Sequence, residues 1–203
     1  LRMRLAINKG VTEEEILRGA SLVGEAGLAR FKLYFMIGLP GEEDDDVYAM
    51  AALGNKIKHA LDRAGNGRTR VVLSVSPTVP KPWTAYQYEV QAEPAVIKRR
   101  QAILKQQLDR GIELRTDSPM TARVDDVLSR ADARLAPMLE SMPDNSLASY
   151  RRAIAEHGLD GPYPWVGERA PWHIVDVGMT ERFLLREMDK HERTRRTISC
   201  PPP

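Results

Sequence analysis

The sequence predicts an α/β fold of parallel strands followed by an α-rich C-terminal part. Three observations carry this. Residues 31–37, Phe-Lys-Leu-Tyr-Phe-Met-Ile, form a nearly unbroken apolar run, too short to cross a membrane. Such a run reads as a strand buried on both faces, as in parallel sheets. Residues 69–76, Thr-Arg-Val-Val-Leu-Ser-Val-Ser, read as a second strand, with helical spacing before and between the two. Helix, strand, helix, strand in this order is a βαβ pattern, so the strands are expected to be parallel neighbours with a right-handed crossover. From Pro119 onward the pattern changes to helical pieces separated by Gly and Pro.

In chain order, residues 1–10 are basic and end in a loop signal, Asn8-Lys9-Gly10. Thr12 followed by Glu15 fits a capping box. Ile16, Leu17, Ala20, Val23 and Ala26 recur at helical spacing, and Gly27 stops that helix. The strand at 31–37 ends in Gly38-Leu39-Pro40-Gly41. Pro40 pre-sets φ and Gly41 tolerates φ > 0, so residues 39–42 suit a tight turn. The acids Glu42, Glu43, Asp44, Asp45 and Asp46 come next, where a helix N-terminus favours negative charge. A second helix starts near Asp44, with Val47, Met50, Ile57 and Leu61 on one side. After the strand at 69–76, Pro77, Pro80 and Pro82 forbid regular helix. A third helix is expected over 93–110, ended by Gly111, and a short strand over 112–116. Further helices are expected near 119–132, 134–142, 145–157 and 180–191, with a structured loop over 158–172.

The bulk numbers are those of an ordinary globular protein: 203 residues, 42% hydrophobic and 29% charged. A net charge of +2 is too small to imply nucleic acid or a membrane surface. No apolar stretch approaches a membrane span. Cys200 is the one cysteine, which excludes an internal disulfide and fits a reducing cytoplasm. The chain begins at Leu1 and ends Cys-Pro-Pro-Pro, and it reads as a segment of something longer. His59, His157, His173 and His191 show no metal spacing, so no zinc site is expected. No nucleophile elbow, phosphate loop or triad signature occurs, and no catalytic residue is assigned.

One set of motifs resembles a known family. Residues 33–42, Leu-Tyr-Phe-Met-Ile-Gly-Leu-Pro-Gly-Glu, resemble the fifth-strand motif of the radical S-adenosylmethionine (SAM) enzymes. The resemblance is closest to the cobalamin-binding-domain members of poorly defined substrate. Residues 8–14 resemble the stretch after that family's fourth strand. Residues 74–77, with 79–82 and Thr84, resemble its sixth strand and loop, and residues 131–137 and 171–178 resemble landmarks of its C-terminal tail. The sequence departs from the family in lacking the Cys-x-x-x-Cys-x-x-Cys loop that holds a [4Fe–4S] cluster, and Cys200 cannot replace three thiolates.

The resemblance implies a C-terminal portion of a partial (βα)6 radical SAM barrel over 1–116 and a helical extension over 117–203. The missing N-terminal half of the barrel is then the implied partner, with SAM and a [4Fe–4S] cluster as cofactors of the intact parent and cobalamin as a further candidate. In that parent, one electron cleaves SAM and the resulting 5′-deoxyadenosyl radical abstracts a substrate hydrogen. By resemblance, Ile37, Gly38, Leu39, Pro40, Gly41 and Glu42 support the adenine side of SAM, and Val75, Ser76 and Pro77 flank the adenine or the substrate cavity. Gly38 lacks a Cβ, which permits close approach to a ring. The competing readings are plainer. Residues 38–42 serve equally as a strand-to-helix turn, and Ser76 as a turn cap. Trp83, Tyr86 and Tyr88 either stack on a flat ligand or pin their loop to the barrel. The basic runs at 98–100 and 193–196 read as solvated faces or as an RNA-docking surface. A non-catalytic module that binds RNA or a partner protein is the rival to the enzyme reading.

Overall fold

In the computed structural model, residues 2–65, 67–162 and 170–193 are described. Cys200, residues 163–169 of the 158–172 loop and the arginines after Arg193 lie outside them. The elements in order are α1 (Arg2–Ala6), α2 (Glu13–Glu25), β1 (Arg30–Ile37), α3 (Asp44–Gly65), β2 (Arg70–Pro77), a 3-10 turn (Ala85–Tyr88), α4 (Pro94–Gln107), β3 (Ile112–Thr116), α5 (Pro119–Arg130), α6 (Leu135–Glu140), α7 (Leu147–Glu156), a second 3-10 turn (Pro171–Ile174) and α8 (Glu181–Glu192). The strands form one sheet in the order β1-β2-β3, all parallel. Among the described residues no helix is long and apolar enough to cross a membrane.

Local chemistry explains most boundaries. The Thr12 backbone N–H donates to Glu15 Oε2 at 2.7 Å, and the Glu15 N–H donates to Thr12 Oγ at 3.2 Å, which closes the expected capping box. Gly27 sits at φ 65°, the left-handed position that stops α2. Ser118 caps α5, and Pro119 opens it where a missing N–H does no harm. α1 was not expected. Its five residues carry no apolar period, and it is held by contacts with α8 and the turn after β1.

Helices α2, α3 and α4 cover one face of the sheet. Ala20, Val47, Ala51, Ile57, Leu61, Ile97 and Leu104 meet Ile37, Val71, Leu73 and Val75 there, with Phe31, Leu33, Phe35, Ile112 and Leu114 at the margin. α2 and α3 approach at backbone distance: a Cβ on Gly65 would lie 2.5 Å from the Gly24 carbonyl oxygen. The other face is bare. Arg30, Lys32, Tyr34 and Met36 of β1 are exposed, Tyr34 to 74%. The expectation that β1 is buried on both faces is therefore corrected. Its apolar run conceals a period of two, because Tyr34 and Met36 tolerate solvent and no described element covers that side. Among the described residues β1 is also an edge, paired only with β2.

A second apolar cluster joins α5, α6 and α7 through Val124, Val127, Met138, Ala153, Ile154 and Leu159. α8 does not join it and packs against α1 and the first 3-10 turn. The clusters are bridged by a buried charge. Arg130 and Asp126 are both 0% exposed, and Arg130 Nε donates to Asp126 Oδ1 at 2.7 Å. Arg130 Nη1 donates to the Glu89 carbonyl at 2.7 Å, which ties α5 to the proline-rich loop.

Removing one member of such a pair strands the other in a low dielectric. Asp126→Asn is expected to lower the unfolding free energy by about 3–5 kcal/mol. Arg130→Met should cost less, because Asp126 keeps its ion pair with Arg123. Urea unfolding of the two variants checks the order.

Candidate functional site

The site is the rim where β1 and β2 end. Parallel pairing runs in register to Met36 opposite Ser76 and Ile37 opposite Pro77. The Thr78 N–H then donates to the Ile37 carbonyl at 2.8 Å. The glycine-proline bend and the Ser76-Pro77 corner thus lie side by side at the carboxyl ends of neighbouring strands. In open and barrelled α/β folds this is where ligands bind.

The bend is a tight turn. The Glu42 N–H donates to the Leu39 carbonyl at 3.0 Å, Pro40 holds its second position, and Gly41 takes φ 67° at the third. Gly38, at φ 79°, is required for a further reason: a Cβ there would lie 2.4 Å from Ile97 Cδ1 and 3.1 Å from the Ala92 Cβ. Its bare side is thus filled by the chain itself.

Glu42 holds the bend closed. Its Oε2 accepts from the Gly38 N–H at 2.6 Å and from Arg100 Nη1 at 2.7 Å, while Arg100 Nη2 donates to the Glu42 carbonyl. Side-chain exposure is 1% for Glu42 and 9% for Arg100. Burial pushes the Glu42 carboxyl above its ordinary value, against the opposing pull of the Gly38 N–H and Arg100. Asp44, Asp45 and Asp46 stand in the first turn of α3, where the helix dipole favours them, and two of them also have individual partners. Asp44 pairs with Arg99 and Arg100, and Asp46 with Arg2. Arg100, expected on a solvated basic face, is buried.

Two more groups grip the bend from outside. Arg2 Nη2 donates to the Gly41 carbonyl at 2.9 Å. His191 Nε2 lies 3.0 Å from the Pro40 carbonyl, and its Nδ1 lies 2.9 Å from the Tyr86 hydroxyl and 3.3 Å from the Ala6 carbonyl. The Tyr86 and His191 rings meet edge to face at 5.0 Å. Burial pushes the Tyr86 phenol up to about 12. His191, in a charged C-terminal run with no recognisable metal motif, is buried. The signal that could have found it is the stripe Leu184, Met188 and His191, the buried face of α8.

The other sequence candidates divide. Ile37 and Val75 are fully buried members of the core, and Leu39 is 6% exposed, so their side chains pack inward. Ser76 stands on the bare face and donates to Asp117. The Thr78 hydroxyl is buried with no hydrogen-bond partner among the described residues. Trp83 packs against His173, and Tyr88 reaches Glu181. These aromatics, with Tyr86, pin their loop to the C-terminal segments. Lys9 is exposed, and His59 pairs with Asp109 at 3.1 Å.

Glu42→Ala leaves Arg100 with Asp44 as its remaining, partly exposed carboxylate and is expected to cost about 3 kcal/mol, the low end for a broken buried pair. The native state holds the Glu42 proton more tightly than the unfolded chain does. This increment of stability is therefore complete below the ordinary value of 4.5 and is lost as pH rises through the raised native value. The wild-type advantage over Glu42→Ala should shrink across that window and then level off, in urea titrations from about pH 4 to 7.

No family model matches the chain, and no solved structure matches it. An uncharacterized protein of Methanocaldococcus jannaschii is 29% identical to it over 139 residues. That alignment covers 68% of this chain and 30% of the archaeal protein, so the chain is similar to one part of a longer relative.

Proposed function

We propose that the chain is the C-terminal portion of a radical SAM barrel, in which the ends of β1 and β2 support the adenine side of SAM. The observation that carries this reading is the shared rim. The two motifs that resemble the family's fifth and sixth strands end in register neighbours of a parallel sheet, Ile37 opposite Pro77, 40 residues apart in sequence. The bare face of the sheet also agrees with a barrel wall. Lys32, Tyr34, Met36, Ser74, Ser76 and Arg115 share that face by register, and in a barrel they would line the cavity. The open edge of β1 is where the preceding strand of such a barrel would add.

The fit to each cofactor differs. The cluster does not fit this chain: among the described residues no group of His, Cys, Asp or Glu could hold a metal, and the sequence has one cysteine. Its ligands belong to the part of the barrel that precedes these strands, and no residue here is assigned to cobalamin. The adenine side fits better, because the Thr78 hydroxyl at the rim is buried with no partner among the described residues and can hydrogen-bond a ligand there. Bound to a reduced cluster, SAM supplies the hydrogen-abstracting chemistry. This chain's part is positional. The turn at 39–42 presents backbone rather than side chain, since Ile37, Leu39 and Glu42 point into protein. Ser76, oriented by Asp117, presents a polar group to the cavity.

The protein encoded by the complete reading frame, reconstituted anaerobically with iron and sulfide and strongly reduced, is expected to convert SAM to 5′-deoxyadenosine. A cluster-loaded protein that never cleaves SAM would defeat the reading. The 203-residue chain alone is expected to self-associate through the β1 edge and the bare face. A monodisperse monomer in sedimentation across a concentration series would contradict that.

A further inference from the structure

The bend after β1 is gripped by the two ends of the described chain. Arg2 of α1 takes the Gly41 carbonyl, and His191 of α8 takes the Pro40 carbonyl. A carbonyl oxygen only accepts, so His191 Nε2 carries the hydrogen in this contact. Nδ1 faces the Tyr86 hydroxyl at 2.9 Å and, more distantly, the Ala6 carbonyl at 3.3 Å; the phenol, the nearer partner, keeps its proton because burial raises it to about 12. The Nε2–H tautomer, accepting from Tyr86 and donating to Pro40, satisfies both ring nitrogens. His191 is 7% exposed, on the wall of a cavity of about 290 Å³ that it shares with Arg2, Pro40 and Gly41. Tyr86, in turn, belongs to the loop that follows β2. One imidazole therefore joins α8, the β1 bend and the β2 loop.

We propose that His191 is a positioning residue for the nucleobase-supporting bend: through Nε2–H to the Pro40 carbonyl it holds residues 38–41 in the ligand-receiving conformation and makes SAM affinity depend on the docked C-terminal helix. The proposal rests on the SAM reading of that bend. It assigns α8 a role that composition does not suggest, since its exposed face is charged and shows no ligand motif. Glu42 and Arg100 fix the bend from within, and they act on the Gly38 N–H and the Glu42 carbonyl. His191 acts on a different atom, so the two restraints are separable.

The test uses two variants with opposite chemistry. His191→Phe keeps the ring volume and removes the donor, while His191→Gln keeps an N–H donor and gives up the ring. SAM dissociation constants are measured by equilibrium dialysis on the cluster-loaded full-length protein, with thermal midpoints alongside. Loss of one buried hydrogen bond predicts a SAM affinity about tenfold weaker in His191→Phe. His191→Gln should bind within about threefold of wild type. A purely packing role ranks the variants the other way, and equal binding by His191→Phe and wild type overturns the proposal. Histidine 15N spectra of the cluster-free protein supply a readout independent of SAM. They should show His191 as the Nε2–H tautomer, and an Nδ1–H tautomer overturns the clamp. Wild-type protein that shows this tautomer yet binds no SAM sinks the SAM reading and, with it, the positioning role built on that reading.

Discussion

The buried contact between Glu42 and Arg100 is the constraint on which the rim depends. A strand ending in Gly38 and a helix starting at Asp44 must be joined within a few residues, and two glycines at positive φ make that join soft. Glu42 removes the softness by binding the Gly38 N–H with the same oxygen that pairs with Arg100. Arg100 comes from α4, beyond β2 in sequence. The bend is therefore rigid only once the second βα unit has docked. Without that docking the carboxylate would prefer water, because an unpaired buried charge is costly.

The sheet has two characters. The helix-covered face is apolar, buried along β2 and half-buried at its margins, while the bare face mixes Lys32, Tyr34, Ser74, Ser76, Glu113 and Arg115. Val72 is the buried exception on it and stands outside the core cluster. Charges there are matched locally: Glu113 takes Arg70 and Arg115, and Lys32 lies over the Tyr34 ring. A face of this kind is a cavity wall or a solvated surface, and the open β1 edge beside it favours the wall.

Much of the fold was legible because the signals were local. The capping box at Thr12, the turn at Pro40-Gly41 and the start of α3 at its acids each depend on neighbours within a few residues. The parallel pairing of β1 and β2 followed from their order with a helix between them. What stayed hidden depends on contacts that no periodicity encodes. Tyr86 and His191 are 105 residues apart, and Glu42 and Arg100 are 58 apart. The exposure of one side of β1 was masked because tyrosine and methionine read as apolar in a run. Gly38 was anticipated as a special position, and the physical reason in the structure is its left-handed φ and the proximity of Ile97.

The contact of Gly24 with Gly65 gives α3 the mechanics of a lever. Its far end is seated backbone against backbone, with no side chain between to absorb a shift. Its near end carries Asp44 and Asp46, which anchor Arg100 and Arg2. A helix of 22 residues is about 33 Å long. One methyl group wedged at the distant seat would tilt the whole rod, and the displacement would be felt at the acids that hold the bend.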